Sequence, residues 1–159
     1  MELLFVCTGN TCRSSMAEAL ARKILAERPA GSGKMTVSSA GVEAWQDAPA
    51  SPEALETLAG MGIDLTEHRA TRLTAEIAGR AGLILTMTLA QRNYILSVFP
   101  QAAGKVFTLS EFTGADGDVP DPVGQPVAVY RRCAERLESL ISRALDRLAA
   151  SPEGFFAQN

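Results

Sequence analysis

Histidine occurs once in these 159 residues, tryptophan once and cysteine three times. Cys7-x4-Cys12 has no matching second pair to complete a zinc tetrad, so a zinc site is discounted, and no metal or other cofactor is expected. Three cysteines make a poor disulfide framework, which points to a reducing, cytoplasmic compartment. No apolar run approaches the length that spans a bilayer. The start, Met1-Glu2-Leu3-Leu4-Phe5-Val6, lacks the cationic flank and small-residue cleavage site of a signal peptide and reads as a strand. Neither acidic nor basic residues are in large excess. A net charge of −3 supplies no field that would draw in nucleic acid or an anionic membrane. Twelve of the basic residues are Arg and three are Lys, a skew that the sequence does not explain.

What is present is an ordinary globular composition, 47% apolar and 21% charged. The length suits a single domain over residues 1–150, followed by a tail at 151–159, and a monomer is expected. There is no internal repeat. Strand and helix signals alternate. Residues 3–6 form a short apolar strand, and Ser14 or Ser15 is placed to cap a helix over 16–27 that Pro29 and Gly31-Ser32-Gly33 end. A second strand is expected at 35–39, closed by Gly41. Ser51-Pro52 opens a helix that Gly60 and Gly62 stop. A third strand is expected at 82–87. Thr88 caps a helix to about Val98, and a fourth strand follows at 105–109. After a polar loop at 113–125, a long amphipathic helix over 127–148 carries Tyr130, Leu137, Ile141, Leu145 and Leu148 on one face. Tyr94, Tyr130 and Cys133 read as packing residues. Four strands alternating with helices imply an α/β domain of three layers, with a central four-stranded parallel sheet covered on both faces. Ligands of such sheets bind beyond the C-terminal ends of the strands.

Cys7-Thr8-Gly9-Asn10-Thr11-Cys12-Arg13-Ser14 lies at such an end. A loop between an apolar strand and a helix start aims backbone N–H groups and the helix N-terminus at one point, where they hold an oxyanion and favour a thiolate. Arg13 can grip two phosphate oxygens at once. Gly9 frees the backbone to curl, Asn10 tolerates left-handed dihedrals and braces the loop, and the Ser14 hydroxyl can donate to the Cys7 sulfur. The segment thus points to nucleophilic attack on a phosphoryl group. A leaving group needs a proton, and Asp121, restricted by Pro122, can supply it and then act as base, with Asp116 and Asp118 as competitors in the same loop.

Together, the loop near the N-terminus and Asp121-Pro122 resemble the low-molecular-weight protein tyrosine phosphatase family, and the likeness covers nearly the whole chain. The resemblance implies the fold of that family. It implies Cys7 as nucleophile, Arg13 as phosphate ligand and Asp121 as general acid and base. Thr8, Gly9, Asn10, Thr11, Cys12 and Ser14 complete the phosphate-binding loop. Ser39 and the lone His68 match the family's loop supports, and Trp45 falls where members often place an aromatic wall. Val123 stands where an aromatic is common, and Ser15 replaces a frequent Pro. Cys12 can, in the family, form a disulfide with the nucleophile and protect it from over-oxidation. Thr8 and Thr11 resemble a bacterial branch that removes phosphate from protein arginine, whereas tyrosine-specific members usually carry a branched apolar residue at position 11.

The resemblance therefore implies a cysteine-dependent protein phosphatase working through a thiophosphate, with phosphoarginine on proteins as the favoured substrate and phosphotyrosine as the alternative. Two rivals are weaker. An arsenate reductase of this fold needs further cysteines around 82–89, and none is there. A phosphate-binding module without turnover needs neither the thiol nor the acid.

Overall fold

Leu3, Leu4, Phe5 and Val6 are all fully buried, which requires a strand covered on both faces. They lie in β1 (Glu2–Cys7), at the centre of the computed structural model, which describes residues 1–29 and 34–151. β1 pairs in parallel with β2 (Thr36–Gly41) on one side and β3 (Leu83–Thr86) on the other. β4 (Val106–Thr108) pairs in parallel with β3, giving the order β2-β1-β3-β4.

Side chains alternate across the sheet. Leu3, Phe5 and Cys7 pack with residues of α1 (Arg13–Glu27), α2 (Pro52–Gly60), α5 (Leu109–Thr113) and α6 (Val127–Ala150). Leu4 and Val6 pack on the opposite face with Ala78 of α3 (Ala75–Arg80) and Ile95 of α4 (Leu89–Val98). The fold is the expected three-layer α/β sandwich. From β1 the chain builds β2 on one side and β3 on the other, so the strand order reverses at the C-terminal end of β1, where a crevice opens. Cys7 is the last residue of β1.

Ser51 and Thr88 cap α2 and α4 as expected, and the expected face of α6 is buried, Cys133 with it. Three readings need correction. α1 starts at Arg13 with Cys12 at its N-cap, so Ser14 and Ser15 lie inside the first turn instead of capping it. Their hydroxyls are taken, Ser14 by Cys7 and Asn10, Ser15 by the Cys12 carbonyl. Leu109 ends no strand. Thr108 and Glu111 form a capping box, and Leu109 opens α5. Tyr94 is not core; it stands on the surface of α4. The sequence reading missed α3, α5 and a 3-10 turn at Pro100–Ala102, which are too short to display a helical period.

The Gly31-Ser32-Gly33 stop and the tail beyond Ser151 lie outside the described residues. Among the described residues no helix is long and apolar enough to cross a membrane.

Candidate active site

The loop from Cys7 to Arg13 turns on Asn10, the fully buried residue with φ of 58°. Asn and Asp tolerate this left-handed region better than other side chains that carry a Cβ. Gly9 does not have a positive φ, so the left-handed turn falls on Asn10 and not on the glycine. Every polar group of Asn10 is engaged. Its backbone N–H donates to the Cys7 sulfur at 3.3 Å. Its Nδ2 donates to Ser14 Oγ at 2.8 Å and to Ser39 Oγ at 2.9 Å, and its Oδ1 accepts from the Thr71 N–H at 2.9 Å. Its carbonyl lies 2.6 Å from His68 Nε2. A carbonyl only accepts, so Nε2 carries a proton and His68 is a donor that braces the loop. Ser39 in turn bonds Glu18, which pairs with Arg22.

Cys7 Sγ lies 2.9 Å from Ser14 Oγ. Ser14 Oγ accepts from the Asn10 amide, and its single proton has two acceptors in reach, the Cys7 sulfur at 2.9 Å and the Ala40 carbonyl at 3.4 Å, of which the sulfur is the nearer. The first turn of α1 carries no carboxylate, unlike α2, α3 and α5, so its dipole faces the loop uncompensated. Arg13 is buried. Its Nη1 donates to the Val119 carbonyl at 3.1 Å and its Nη2 lies 3.3 Å from Asp121 Oδ2. Two stretches more than a hundred residues apart thus meet at one guanidinium. Asp121 is 48% exposed on its side chain, open to a ligand, and its Oδ1 accepts from the Val123 N–H at 3.1 Å. Of the three aspartates only Asp121 pairs with Arg13; Asp118 also lines the cleft beside the loop, with its Oδ1 accepting from Leu89 N–H at the start of α4, and Asp116 does not line it.

Cys12 points inward. Its sulfur lies 3.3 Å from Ser51 Oγ and 3.4 Å from the Tyr130 hydroxyl, and all three cysteines are free. Burial and the contact with Cys12 hold the Tyr130 phenol well above its ordinary range. Trp45 is 85% exposed and Val123 60%. A cleft of ≈ 590 Å³ opens beside the loop, lined by Thr8, Arg13, Gln91, Tyr94, Asp118 and Asp121 among others, but by neither Trp45 nor Val123. A larger hollow, ≈ 690 Å³, lies behind the loop around Glu18, Ser39 and His68, and none of Cys7, Arg13 and Asp121 lines it.

Four contributors escaped the sequence reading. Gly41 is one, because a Cβ there would meet the Thr8 carbonyl at 2.6 Å. Glu18, Tyr130 and Gln91 are the others; only Gln91 left a readable trace, the Thr88-x-x-Gln91 capping-box spacing. The arrangement can hold a tetrahedral oxyanion on backbone N–H groups and Arg13, with a sulfur beneath it and a carboxyl at its rim.

A family model described as low molecular weight phosphotyrosine protein phosphatase matches residues 2–153. A protein-arginine-phosphatase of Bacillus subtilis is 43% identical over 149 residues, 93% of this chain and 97% of that protein. A probable low molecular weight protein-tyrosine-phosphatase, EpsP, of Ralstonia nicotianae is 38% identical over 148 residues, 93% of this chain and 96% of that one. A solved structure of the YwlE arginine phosphatase, a mutant with a phosphorylated active-site serine, superposes with a TM-score of 0.87 at 42% identity, covering 93% of this chain and 95% of that chain. The chain belongs to the low molecular weight phosphotyrosine protein phosphatase family.

Proposed function

We propose that this family member removes phosphate from phosphoarginine on proteins through a cysteinyl-phosphate. In this reading the Cys7 thiolate attacks phosphorus while Arg13 and the loop N–H groups hold the equatorial oxygens. The P–N bond breaks, its electron pair stays on the guanidino nitrogen, and Asp121 delivers the proton. Water then attacks the thiophosphate, Asp121 takes a proton from it, and the P–S electron pair returns to the sulfur, to which Ser14 donates. The Arg13–Asp121 contact of 3.3 Å carries the mechanism, because it sets the acid beside the phosphate ligand.

Thr11 supports the choice of substrate. It is a partly exposed hydroxyl residue in the loop, where it can meet a guanidinium but offers a phenol ring little apolar surface. The naming of the Bacillus relative agrees. A tyrosine phosphatase is the second reading, favoured by Tyr94, an exposed aromatic that lines the cleft, and by the naming of the EpsP relative.

The test sets phosphoarginine and phosphotyrosine peptides side by side. Wild type should give the higher kcat/KM on phosphoarginine, Cys7→Ser should lose both activities, and Asp121→Asn should lower kcat on the order of 10²-fold. Higher kcat/KM on phosphotyrosine would select the second reading, and no turnover of either would remove both.

A further inference from the structure

Two helices of this fold open with the same device. At α5, Thr108 Oγ1 accepts from the Glu111 N–H and the Glu111 carboxylate accepts from the Thr108 N–H. At α4, Thr88 Oγ1 accepts from the Gln91 N–H and Gln91 Oε1 accepts from the N–H groups of Thr88 and Met87, each at 3.0 Å. Glu and Gln serve a capping box equally, since only an acceptor oxygen is needed. The two boxes differ in the atom left over. Gln91 Nε2 donates to Thr8 Oγ1 in the phosphate-binding loop, at 3.1 Å. A carboxylate has no proton to give there. Gln91 is 5% exposed, so the geometry is fixed by packing as well as by three further hydrogen bonds.

We infer that Gln91 is a positioning residue for the proposed phosphatase reaction, acting through Thr8. By donating to Thr8 Oγ1 it occupies an acceptor site and leaves the hydroxyl proton for the cleft that Thr8 lines with Arg13 and Asp121. Thr8 then presents a donor to the phosphoryl oxygens of the substrate, which Arg13 holds nearby. A glutamate at position 91 would keep the box but accept the Thr8 proton, turning that donor away from the substrate. The inference rests on the phosphatase reading.

The experiment is a double-mutant cycle with Gln91→Glu and Thr8→Val, read as kcat/KM on a phosphopeptide, as the competitive Ki of inorganic phosphate and as Tm. Gln91→Glu keeps the capping oxygen but buries a carboxylate, so Tm should fall by a similar amount in the wild-type and Thr8→Val backgrounds, and activity is read well below both transitions. The substitution should weaken phosphate and lower kcat/KM about tenfold, the worth of a hydrogen bond to a charged group. In the Thr8→Val background the same change should cost much less, leaving only the charge it introduces, whereas Thr8→Ser should restore the full penalty. Equal penalties in the wild-type and Thr8→Val backgrounds would overturn the inference, as would a loss of activity that only tracks the folded fraction at the assay temperature. Inactive wild type would instead sink the phosphatase reading, so the two failures are distinguishable.

Discussion

A single hydroxyl separates the two substrate readings. Thr11 sits one residue after Asn10, whose hydrogen bonds fix the loop, and the Thr11 carbonyl accepts from the Ser51 N–H at 3.0 Å. The backbone at position 11 is therefore held independently of its side chain, and a substitution there changes chemistry without moving the thiol. Thr11→Ile should shift the kcat/KM ratio toward phosphotyrosine peptides, because a branched apolar side chain favours a phenyl ring and deprives a guanidinium of a polar contact. The ratio of the two peptides, measured on one preparation, checks it, and an unchanged ratio removes Thr11 as the determinant. At this scale the sequence is most legible where one residue type has one use: Cys7, Arg13 and Asn10 occupy the places their chemistry predicts. It is least legible where a common residue acts through one distant contact. Nothing local marks Gln91 as a donor to a residue 83 positions away, or Tyr130 as the neighbour of Cys12.

Elements were legible in proportion to their length and their punctuation. Four buried strands and four capped or amphipathic helices carry period and boundary signals together, whereas α3 and α5 are six and five residues long and carry only caps. In the sequence the closing Gly41 of β2 reads as a strand stop, but its real constraint comes from another element. As β2 ends it runs against the loop that leaves β1. Val42 N–H donates to the Cys7 carbonyl at 3.0 Å and Glu43 N–H to the Thr8 carbonyl at 2.9 Å. A Cβ on Gly41 would stand 2.6 Å from the Thr8 carbonyl oxygen and 3.0 Å from the Asn10 nitrogen, both backbone atoms that cannot swing aside. Gly41→Ala should therefore push the loop out of shape, lowering Tm and weakening phosphate binding together. Gly79, inside α3, meets nothing within 4 Å, and Gly79→Ala should instead stabilise by roughly 0.5–1 kcal/mol through helix propensity. Thermal melts of both variants, with and without phosphate, check the contrast. An undisturbed Gly41→Ala would show that β2 and the loop are not locked to each other.

At the scale of the whole molecule, four of the twelve arginines bind carbonyls of one segment, the end of α5 and the loop that carries Asp121. Arg136, Arg143 and Arg147 reach from α6 to the carbonyls of Asp116, Thr113 and Phe112, which lie at the end of α5 and in the loop that leads to Asp121. Arg13 holds Val119 further along the same segment. A guanidinium has several fixed donors and stays charged, which suits stapling an irregular segment better than an ammonium does. α6 thus supports the acid-bearing loop from one side while its apolar face seals the core beneath the nucleophile. That face contains a thiol, Cys133, whose pKa burial raises from an ordinary 9.0 to about 11, outweighing the opposing pull of Arg13. The neutral thiol is the form the fold tolerates, so the unfolded chain loses its proton first. The stabilisation is whole below pH 9 and falls away as the pH climbs from 9 to 11, by about 2 to 3 kcal/mol in all. Tyr130, on the same face and raised above 10 by its burial, acts in the same direction at still higher pH. Urea unfolding at pH 8, 9.5 and 10.5 should show the midpoint of wild type falling across this window. Cys133→Ala should begin less stable at pH 8 for want of its sulfur, yet lose less between pH 9 and 11. Parallel decline of the two proteins would assign the alkaline loss to some group other than this thiol.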